Sequence, residues 1–477
     1  MAQNSKELTP EFCVIGAGPG GLAVAAVAAA FDAPAVLIEK GRMGGANLND
    51  GGVRARALAV AAQRAYIARS NARFGIKTGR ISIDMPAVNA GVRETVGALT
   101  PNAARHRLAG LGVNVIEGAA RFTDPRTVTV GEYVIKAHRF VIATGSSPVI
   151  PAIPGLAVTP HLTEETVFQL REVPRHLIVI GAGPVGLELA QAFRRFGSEV
   201  TVLEAATPLA GADPEVAAVV LHALTREGIE LRSGVEVAKV GRALAKVQVT
   251  LASETGTDTI EGSYLLVTAG RRPDIDDLNL DAAKIRTDEH GLVLDRSLRT
   301  TNKRVFAVGD VAGGPNYTHV AHYHAGLVVR RVLFGAPIRI DHETIPWVTY
   351  TDPELAQVGM LEQEARAHSG VIRVLRWPYR ENDRAQIEHA TEGHIKIVTD
   401  RAGEVLGAAI VGPRAAESIN AWTLAVGQRL NIQALAGLVV PYPSYAEVGK
   451  RAAITYFTHG LTRPRTRRIM GWLRRRR

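Results

Sequence analysis

The sequence predicts a mixed α/β protein with two parallel-sheet domains of one design and a separate α+β domain near its C-terminal end. A strand, a glycine-rich turn, an alanine-rich helix and a second strand follow one another near the N-terminus, and the same succession returns mid-chain. From about residue 344 the pattern changes to alternating strands mixed with helices, which is typical of an α+β domain. The 477 residues are enough to build several hydrophobic cores of this kind.

The first of these units is EFCVIGAGPGGLAVAAVAAAFDAPAVLIEK, with Gly16, Gly18 and Gly21 in the turn and Glu39 at the end of the second strand. In a Rossmann-like domain the first glycine permits a tight turn, and the second lets the backbone approach a pyrophosphate. The third lets the helix pack on the strand, and the acid holds a ribose hydroxyl. The unit therefore predicts a dinucleotide site.

The second unit, LIVIGAGPVGLELAQAFRRFGSEVTVLEA, repeats this pattern with Gly181, Gly183, Gly186 and Glu204. In both copies the acid stands 23 positions after the first glycine. A single GxGxxG match is weak, but two matched copies in strand–turn–helix context predict two dinucleotide sites.

Short strand-and-turn signatures follow these units: HRFVIATGSSP, YLLVTAGRRPD and NKRVFAVGDVAG. The chain is expected to leave one nucleotide domain, build another and then return to the first. The predicted segments are 1–150, the first nucleotide domain; 151–270, the second; 271–343, the return to the first; 344–461, the α+β domain; and 462–477, an arginine-rich tail.

The order GAGPGG, ATG, GAGPVGLE, AGRRPD, AVGDVAG and TDPELAQVG, from Phe12 to about residue 460, resembles the dihydrolipoamide dehydrogenase and mercuric reductase group of pyridine nucleotide-disulfide oxidoreductases. The resemblance implies that the first unit binds FAD, that the second binds NAD(H), and that Asp310 meets the flavin ribityl chain. It also implies that the last domain forms a homodimer, which completes each active site. The implied cofactor-binding residues are Gly16, Gly18, Gly21, Glu39, Gly45, Ala143, Thr144, Gly145, Gly181, Gly183, Gly186, Glu204, Gly270, Gly309 and Asp310.

The redox segment departs from that family. Asn47 and Gly52 stand where the resemblance predicts two cysteines, and the single cysteine of the chain, Cys13, lies in a predicted core strand. A thiolate is the nucleophile that exchanges with a disulfide substrate. The sequence therefore predicts that electrons leave the flavin without passing through a disulfide.

Two acid–base positions have changed with the cysteines. Arg56 stands at the position of a family lysine, while its glutamate partner is kept as Glu188; Tyr442 replaces a histidine, while Glu447 is kept. Arginine stays charged at any working pH, so it can stabilise a negative charge but does not readily give up a proton. A phenol with a pKa of about 10 is a poor base, although it can donate a hydrogen bond. We assign these four residues as candidate catalytic residues.

Three functions are compatible with this pattern. The preferred one is an FAD-dependent NADH oxidoreductase that delivers electrons directly to a small-molecule acceptor, with a quinone as the first choice. Glu204 favours NADH, because an acid accepts hydrogen bonds from a ribose 2′-hydroxyl and repels a 2′-phosphate. The runner-up is a flavin-based pyridine nucleotide transhydrogenase. The third is an electron-transfer or non-catalytic flavoprotein subunit of a larger complex.

Charge and composition bear on partners and location. Eight arginines lie within residues 463–477, which contain no acid, so most of the net charge of +10 belongs to this tail. With Trp472 and neighbouring apolar residues, the tail predicts contact with an anionic membrane surface, and a solvated end is the alternative. No nucleic acid is expected as a partner. The lack of an apolar signal core and the single cysteine predict a cytoplasmic protein, with peripheral attachment at the inner face of the membrane if the tail binds lipid.

A metal site is not expected. His319, His322 and His324 lie close together in HVAHYHAG. The resemblance places this segment on a helix beside the flavin, and zinc sites usually have clearer ligand sets.

Overall fold

The computed structural model of the protein describes residues 6–244, 246–253, 256–461 and 474–475. The chain forms two compact units. The first contains Met1–Gly181, Ala192–Ala205 and Val235–Ile340, and the second contains Ala182–Gln191, Ala206–Gly234 and Asp341–Arg477. The predicted division into three domains, with a return to the first of them at 271–343 and a C-terminal tail, stays a prediction.

A five-stranded parallel sheet forms the centre of the first unit. Its strands, in spatial order, are Val305–Ala307, Arg139–Ile142, Phe12–Ile15, Ala35–Glu39 and Asn114–Glu117. Both faces of this sheet are buried: Phe12 and Val14 belong to the core on one side, and Cys13 and Ile15 to the core on the other. A parallel sheet covered on both faces needs continuous apolar strands, and this explains the run FCVI.

The first unit contains further sheets. A second parallel sheet includes, in order, the strands Leu162–Thr163, Tyr264–Val267, His176–Ile180 and Glu199–Glu204. A mixed sheet contains, in spatial order, the strands Lys6–Leu8, Tyr133–Ile135, Thr127–Val130 and Arg121–Asp124. The antiparallel pairings join Glu236–Ala243, Lys246–Ser253 and Gly256–Gly262; Ser146–Pro148 and Arg271–Pro273; and Thr287–Asp288 and Gly291–Leu292.

The helices of the first unit begin with Pro19–Ala30, directly after the first glycine turn. The others are Gly45–Asn49, Gly52–Ser70, Met85–Leu99, Arg105–Gly110 and Thr318–Phe334. Short 3-10 helices cover Asn71–Phe74, Thr100–Ala103, Leu156–Val158, Val167–Gln169, Asp276–Leu278 and Gly309–Ala312. The helix Pro184–Phe196 follows the second glycine turn and runs from residues of the second unit into residues of the first.

The second unit is built on a five-stranded antiparallel sheet. Its strands, in order, are Trp347–Thr349, Glu354–Gly359, Val405–Gly412, His394–Asp400 and Ile372–Pro378. Its helices are Pro214–Arg226, Glu362–Ser369, Asp383–Ile387, Ala415–Gly427, Ile432–Gly437 and Ala446–Leu461, with the strand Ile229–Ser233 and the 3-10 helix Tyr379–Glu381. Trp422 and Ile419 pack with Ile395 and Ile410 in its core. This arrangement confirms the predicted C-terminal α+β fold.

None of the helices in the described part of the chain is long and apolar enough to cross a membrane.

Candidate active site

The first glycine turn has the geometry of a phosphate cradle. Gly16 has a φ of +105°, and a Cβ there would lie 2.3 Å from the carbonyl oxygen of Ala143. A Cβ on Gly21 would lie 1.9 Å from the oxygen of Gly16, whereas no atom lies within 4 Å of the Cβ position of Gly18. The backbone is thus closely packed at the outer glycines and open at the middle one, as a pyrophosphate at the helix N-terminus requires.

Glu39 is fixed beside this turn. One carboxylate oxygen accepts a hydrogen bond from the Ala17 N–H at 2.6 Å, and the other accepts from the Gly41 N–H at 2.7 Å. Each oxygen keeps acceptor capacity, because a carboxylate oxygen has two lone pairs. Glu39 is therefore positioned to hold ribose hydroxyls of a dinucleotide in the first cradle.

A hydrogen-bonded chain leads to Asp310, on the 3-10 helix Gly309–Ala312. The Ser146 hydroxyl donates to Asp310 Oδ2 at 2.6 Å, and Arg271 Nε donates to Ser146 Oγ at 2.8 Å. Arg271 also donates from Nη2 to the Ser146 carbonyl oxygen at 2.6 Å. The serine after the ATG motif and the arginine of AGRRPD thus orient the Asp310 carboxylate together.

Two glutamates hold Arg271 from its other side. Its Nη1 lies 2.6 Å from Glu164 Oε1, and its Nη2 lies 2.9 Å from Glu165 Oε1. Glu164 is buried, with 7% of its surface exposed. Burial alone would lower the pKa of Arg271, but the hydrogen bonds and charges of Glu165 and Glu164 raise it. The guanidinium therefore stays charged inside the protein.

Four further candidate cofactor-binding residues lie on turns next to these hydrogen-bonded side chains. Ala143, Thr144 and Gly145 follow the strand Arg139–Ile142, and Gly270 precedes the strand Arg271–Pro273. The Thr144 hydroxyl is buried and has no partner among the described residues. A buried hydroxyl without a partner is costly unless a ligand satisfies it. Together with the open backbone at Gly18, this unpartnered hydroxyl fits a dinucleotide such as FAD.

The second glycine turn shows the same local features. A Cβ on Gly181, whose φ is +106°, would lie 2.4 Å from the Thr268 carbonyl oxygen, and no atom lies within 4 Å of the Cβ position of Gly183. Gly186 is buried on the helix that follows, and Glu204 is the last residue of the strand Glu199–Glu204. The second dinucleotide site and its preference for NADH stay predictions.

The Asn47 side chain lies next to Gly52, which stands at the position of the second expected cysteine. A Cβ built on Gly52 would lie 2.4 Å from Asn47 Oδ1, so a side chain there would displace the amide. Gly45, at the start of the short helix Gly45–Asn49, packs against the first cradle, since its Cβ position is 2.8 Å from Gly18 Cα. The segment next to the first cradle therefore presents an amide and no thiol.

Arg56 and Glu188 lie on different helices. Arg56 is half-buried on the helix Gly52–Ser70, in the first unit. Glu188 is half-buried on the helix Pro184–Phe196, in the second unit, and its Oε1 accepts a hydrogen bond from the Tyr350 N–H at 2.8 Å. The predicted pair between them stays a prediction.

Tyr442 and Glu447 are held by separate partners in the second unit. The Tyr442 hydroxyl donates to Asp383 Oδ2 at 2.7 Å, although 70% of the tyrosine surface is exposed. This hydrogen bond raises the pKa of Tyr442, so the phenol stays protonated near neutral pH. Glu447 Oε1 accepts from Arg451 Nη2 at 2.9 Å, while its Oε2 is buried without a partner among the described residues.

Cys13 and His324 are buried inside the protein. Cys13 is completely buried, and burial raises the pKa of its thiol, which makes it unreactive. His324 is buried on the helix Thr318–Phe334, and its Nδ1 accepts a hydrogen bond from the Gly309 N–H at 3.3 Å. Within the described ranges, no group of three or more His, Cys, Asp or Glu residues could hold a metal ion.

Sequence reasoning missed several residues that shape the site. Ser146, Glu164 and Glu165 belong to the chain that ends at Asp310, and Asp383 holds Tyr442. Ser146 follows the ATG motif directly, so its position carried a signal. Glu164, Glu165 and Asp383 lie in stretches without a recognisable motif, and only the folded chain shows their contacts.

Family models match most of the chain. The model described as "Pyridine nucleotide-disulphide oxidoreductase" matches residues 10–325, and the model of the dimerisation domain of the same family matches residues 345–453. The second match indicates a homodimer.

Curated relatives and solved structures are similar to the chain over most of its length. The chain is 34% identical to a dihydrolipoyl dehydrogenase of Geobacillus stearothermophilus over 93% of this chain and 95% of the relative. It is also 34% identical to a mercuric reductase of Bacillus cereus, over 94% of this chain and 71% of the relative. Among solved structures, LpdA from Mycobacterium tuberculosis is similar with a TM-score of 0.85, 28% identity and coverage of 93% of this chain and 99% of LpdA.

Proposed function

Because the chain belongs to the pyridine nucleotide-disulphide oxidoreductase family, whose members bind FAD and NAD(P)H, we propose that it is an FAD-dependent NADH oxidoreductase without a redox disulfide. Electrons are passed directly to a small acceptor, with a quinone as the first choice. The observation that carries this proposal is the Asn47 amide, which lies over Gly52 where a redox-active cysteine pair would be. The reducing cytoplasm is the proposed location, since a chain with a single cysteine has no internal disulfide.

The residues of the first cradle bind and orient the cofactor. Gly18 leaves room for a pyrophosphate, Glu39 holds ribose hydroxyls, and the Arg271–Ser146 chain fixes the direction of the Asp310 carboxylate. When bound there, FAD supplies hydride acceptance from NADH and electron delivery to the acceptor. A carboxylate whose orientation is fixed before binding loses little entropy when the cofactor arrives.

The altered acid–base residues have different roles in this proposal. Arg56 supplies a permanent positive charge that stabilises negative charge near the site and does not act as a proton donor. Tyr442 acts as a hydrogen-bond donor to the acceptor bound in the other subunit of the homodimer, because its hydroxyl keeps its proton. During turnover its hydrogen bond moves from Asp383 to an acceptor oxygen.

The absence of a working disulfide is tested by spectroscopy. The purified protein is expected to be yellow, with about one non-covalent FAD per chain. NADH should bleach the flavin directly, without the long-wavelength thiolate-to-flavin charge-transfer band of disulfide relatives, and NADPH should be less efficient in the same titration because of Glu204. The paired substitution Asn47→Cys/Gly52→Cys provides the positive control for the band.

Steady-state assays separate the three candidate functions. Turnover of NADH with quinones supports the proposal, turnover between NADH and a nicotinamide analogue supports the transhydrogenase, and bound FAD without turnover by the isolated protein supports the subunit of a larger complex. A charge-transfer band in the unaltered protein, or robust lipoamide turnover, contradicts the proposal.

The roles of Arg56 and Tyr442 are tested by stopped-flow measurement of the two half-reactions. Arg56→Ala is expected to slow flavin reduction by NADH by about 10-fold or more, because a stabilising charge is lost. Tyr442→Phe is expected to slow reoxidation by quinone by about 10-fold and to spare the reduction step.

Tyr445→Phe is the matched control for the second variant. Its hydroxyl also donates to a carboxylate, Glu388 Oε2 at 2.7 Å, but Tyr445 has no proposed role in either half-reaction. Normal half-reactions in both Arg56→Ala and Tyr442→Phe would remove these residues from the mechanism while leaving the family assignment intact.

A further inference from the structure

A basic and apolar surface segment of the first unit, residues 64–80, has no role in the proposed chemistry. Seven Lys and Arg residues, and no Asp or Glu, lie between Gly51 and Ile83. Five of the seven are exposed: Arg64, Arg69, Arg73, Lys77 and Arg80. We call residues 64–80 the basic tip.

The outer part of the basic tip is exposed at every position from residue 72 to residue 80. It includes two large apolar side chains, Phe74 with 48% and Ile76 with 53% of their surface exposed. The Arg73 guanidinium lies 5.4 Å from the centre of the Phe74 ring. Exposed apolar side chains between basic ones are typical of segments that bind anionic lipid surfaces.

Hydrogen bonds hold the turn in one shape. The Gly75 N–H donates to the Ala72 carbonyl oxygen at 3.0 Å, and the Ile76 N–H donates to that of Asn71 at 3.3 Å. The Thr78 hydroxyl donates to the Ala68 carbonyl oxygen at 2.8 Å, which ties the loop to the preceding helix. Little ordering entropy is therefore lost when the tip meets a surface.

Tyr66 and Arg69, near the start of the basic tip, contact Arg195 of the first unit. The Arg195 guanidinium lies 4.1 Å from the centre of the Tyr66 ring, and Arg69 Nη1 donates to the Arg195 carbonyl oxygen. Arg195 itself is buried. The tip is thus a fixed extension of the folded unit.

We propose that the basic tip is a docking surface for an anionic phospholipid bilayer, with Phe74 and Ile76 entering the headgroup region and the basic residues facing lipid phosphates. Charge complementarity favours an anionic bilayer as the partner, because the basic tip contains no acidic residue from Arg64 to Arg80. The inference is independent of the identity of the electron acceptor and goes beyond the proposed function. It is also separate from the predicted role of residues 463–477, of which the structure describes Arg474 and Arg475 alone.

The test is sedimentation of the FAD-loaded protein with vesicles of mixed phosphatidylglycerol and phosphatidylcholine, compared with pure phosphatidylcholine. It uses the full chain and a chain that lacks residues 463–477. Both are expected to bind the anionic vesicles and to lose that binding at high salt. Phe74→Ser/Ile76→Ser in the shortened chain should weaken binding by about 10-fold or more, because the apolar contacts are lost.

Phe31→Ser/Phe334→Ser is the matched control. These aromatic residues are 55% and 60% exposed, pack edge to face with each other and are not part of the basic tip, so this variant should bind vesicles normally. NADH-to-dye activity should stay unchanged in both variants, which shows that each has folded.

Two results would overturn the proposal. One is a shortened chain that does not prefer anionic vesicles, which would assign any lipid binding to residues 463–477. The other is normal vesicle binding by Phe74→Ser/Ile76→Ser. A DNA duplex is tested in the same way. If the shortened chain binds the duplex and the variant loses that binding while vesicle binding is unchanged, the partner of the basic tip is nucleic acid and not a bilayer.

Discussion

Arg271→Met is expected to weaken FAD binding by about 10- to 100-fold, because the Ser146–Asp310 pair loses the charged donor that orients it, and hydrogen bonds to charged groups contribute about 1.5–3 kcal/mol. The guanidinium holds Glu164, Glu165 and Ser146 at once. Without it, Glu164 keeps a buried charge with no cation, and Ser146 loses the donor that fixes its hydroxyl toward Asp310. Titration of the apoprotein with FAD, followed by flavin fluorescence, gives the affinity.

Two further variants separate positioning of Asp310 from simple damage to the fold. Ser146→Ala removes the hydroxyl next to Asp310 and should weaken FAD binding by about 10-fold, as expected for one hydrogen bond to a charged group. Arg272→Met is the matched control, because the neighbouring Arg272 forms an exposed pair with Asp276. The role of Arg271 is refuted if its variant loses thermal stability as an apoprotein but binds FAD with unchanged affinity.

Lys396→Met is expected to lower the free energy of unfolding by about 3–5 kcal/mol, because a buried cation is removed from a group of acids. Lys396 Nζ lies 2.8 Å from Asp213 Oδ2, 2.8 Å from Glu215 Oε1 and 2.9 Å from Glu362 Oε2. Only 4% of the lysine and 3% of Asp213 is exposed. Urea unfolding of the matched proteins measures the loss.

Arg226→Met is the control for this variant. Arg226 forms an exposed ion pair with Glu392 in the same unit, and such surface pairs contribute at most about 1 kcal/mol. Equal losses in Lys396→Met and Arg226→Met would show that the Lys396 cluster does not stabilise the fold.

The pH dependence of unfolding provides a second measurement on the same cluster. The hydrogen bond from Arg376, and then that from Lys396, lower the pKa of Glu215 from 4.5 to about 2. The unfolded chain therefore takes up a proton at a higher pH than the folded chain. The stability from Glu215 is complete above pH 4.5 and is lost as the pH falls toward 2. Glu215→Gln should remove this part of the acid sensitivity.

Much of the fold could be predicted from local sequence signals. The glycine turns, the runs FCVI and HLIVI, and the acids Glu39 and Glu204 predicted strand–turn–helix–strand units, and both are present. The alternating strands expected from about residue 344 are also present, with His394–Asp400 and Val405–Gly412 among them. These signals are local because backbone conformation and two-sided burial restrict residue type at each position.

The sequence by itself also determined that the chain has no internal redox disulfide, because it contains a single cysteine. Only the tertiary structure decided which side chains meet: the Asn47 amide lies next to Gly52, Tyr442 donates to Asp383, and Arg271 reaches Asp310 through Ser146. Arg271 and Ser146 are 125 positions apart, and Ser146 and Asp310 are 164 apart. Such contacts depend on where distant strands end in a shared sheet, and no local pattern of residues encodes those positions.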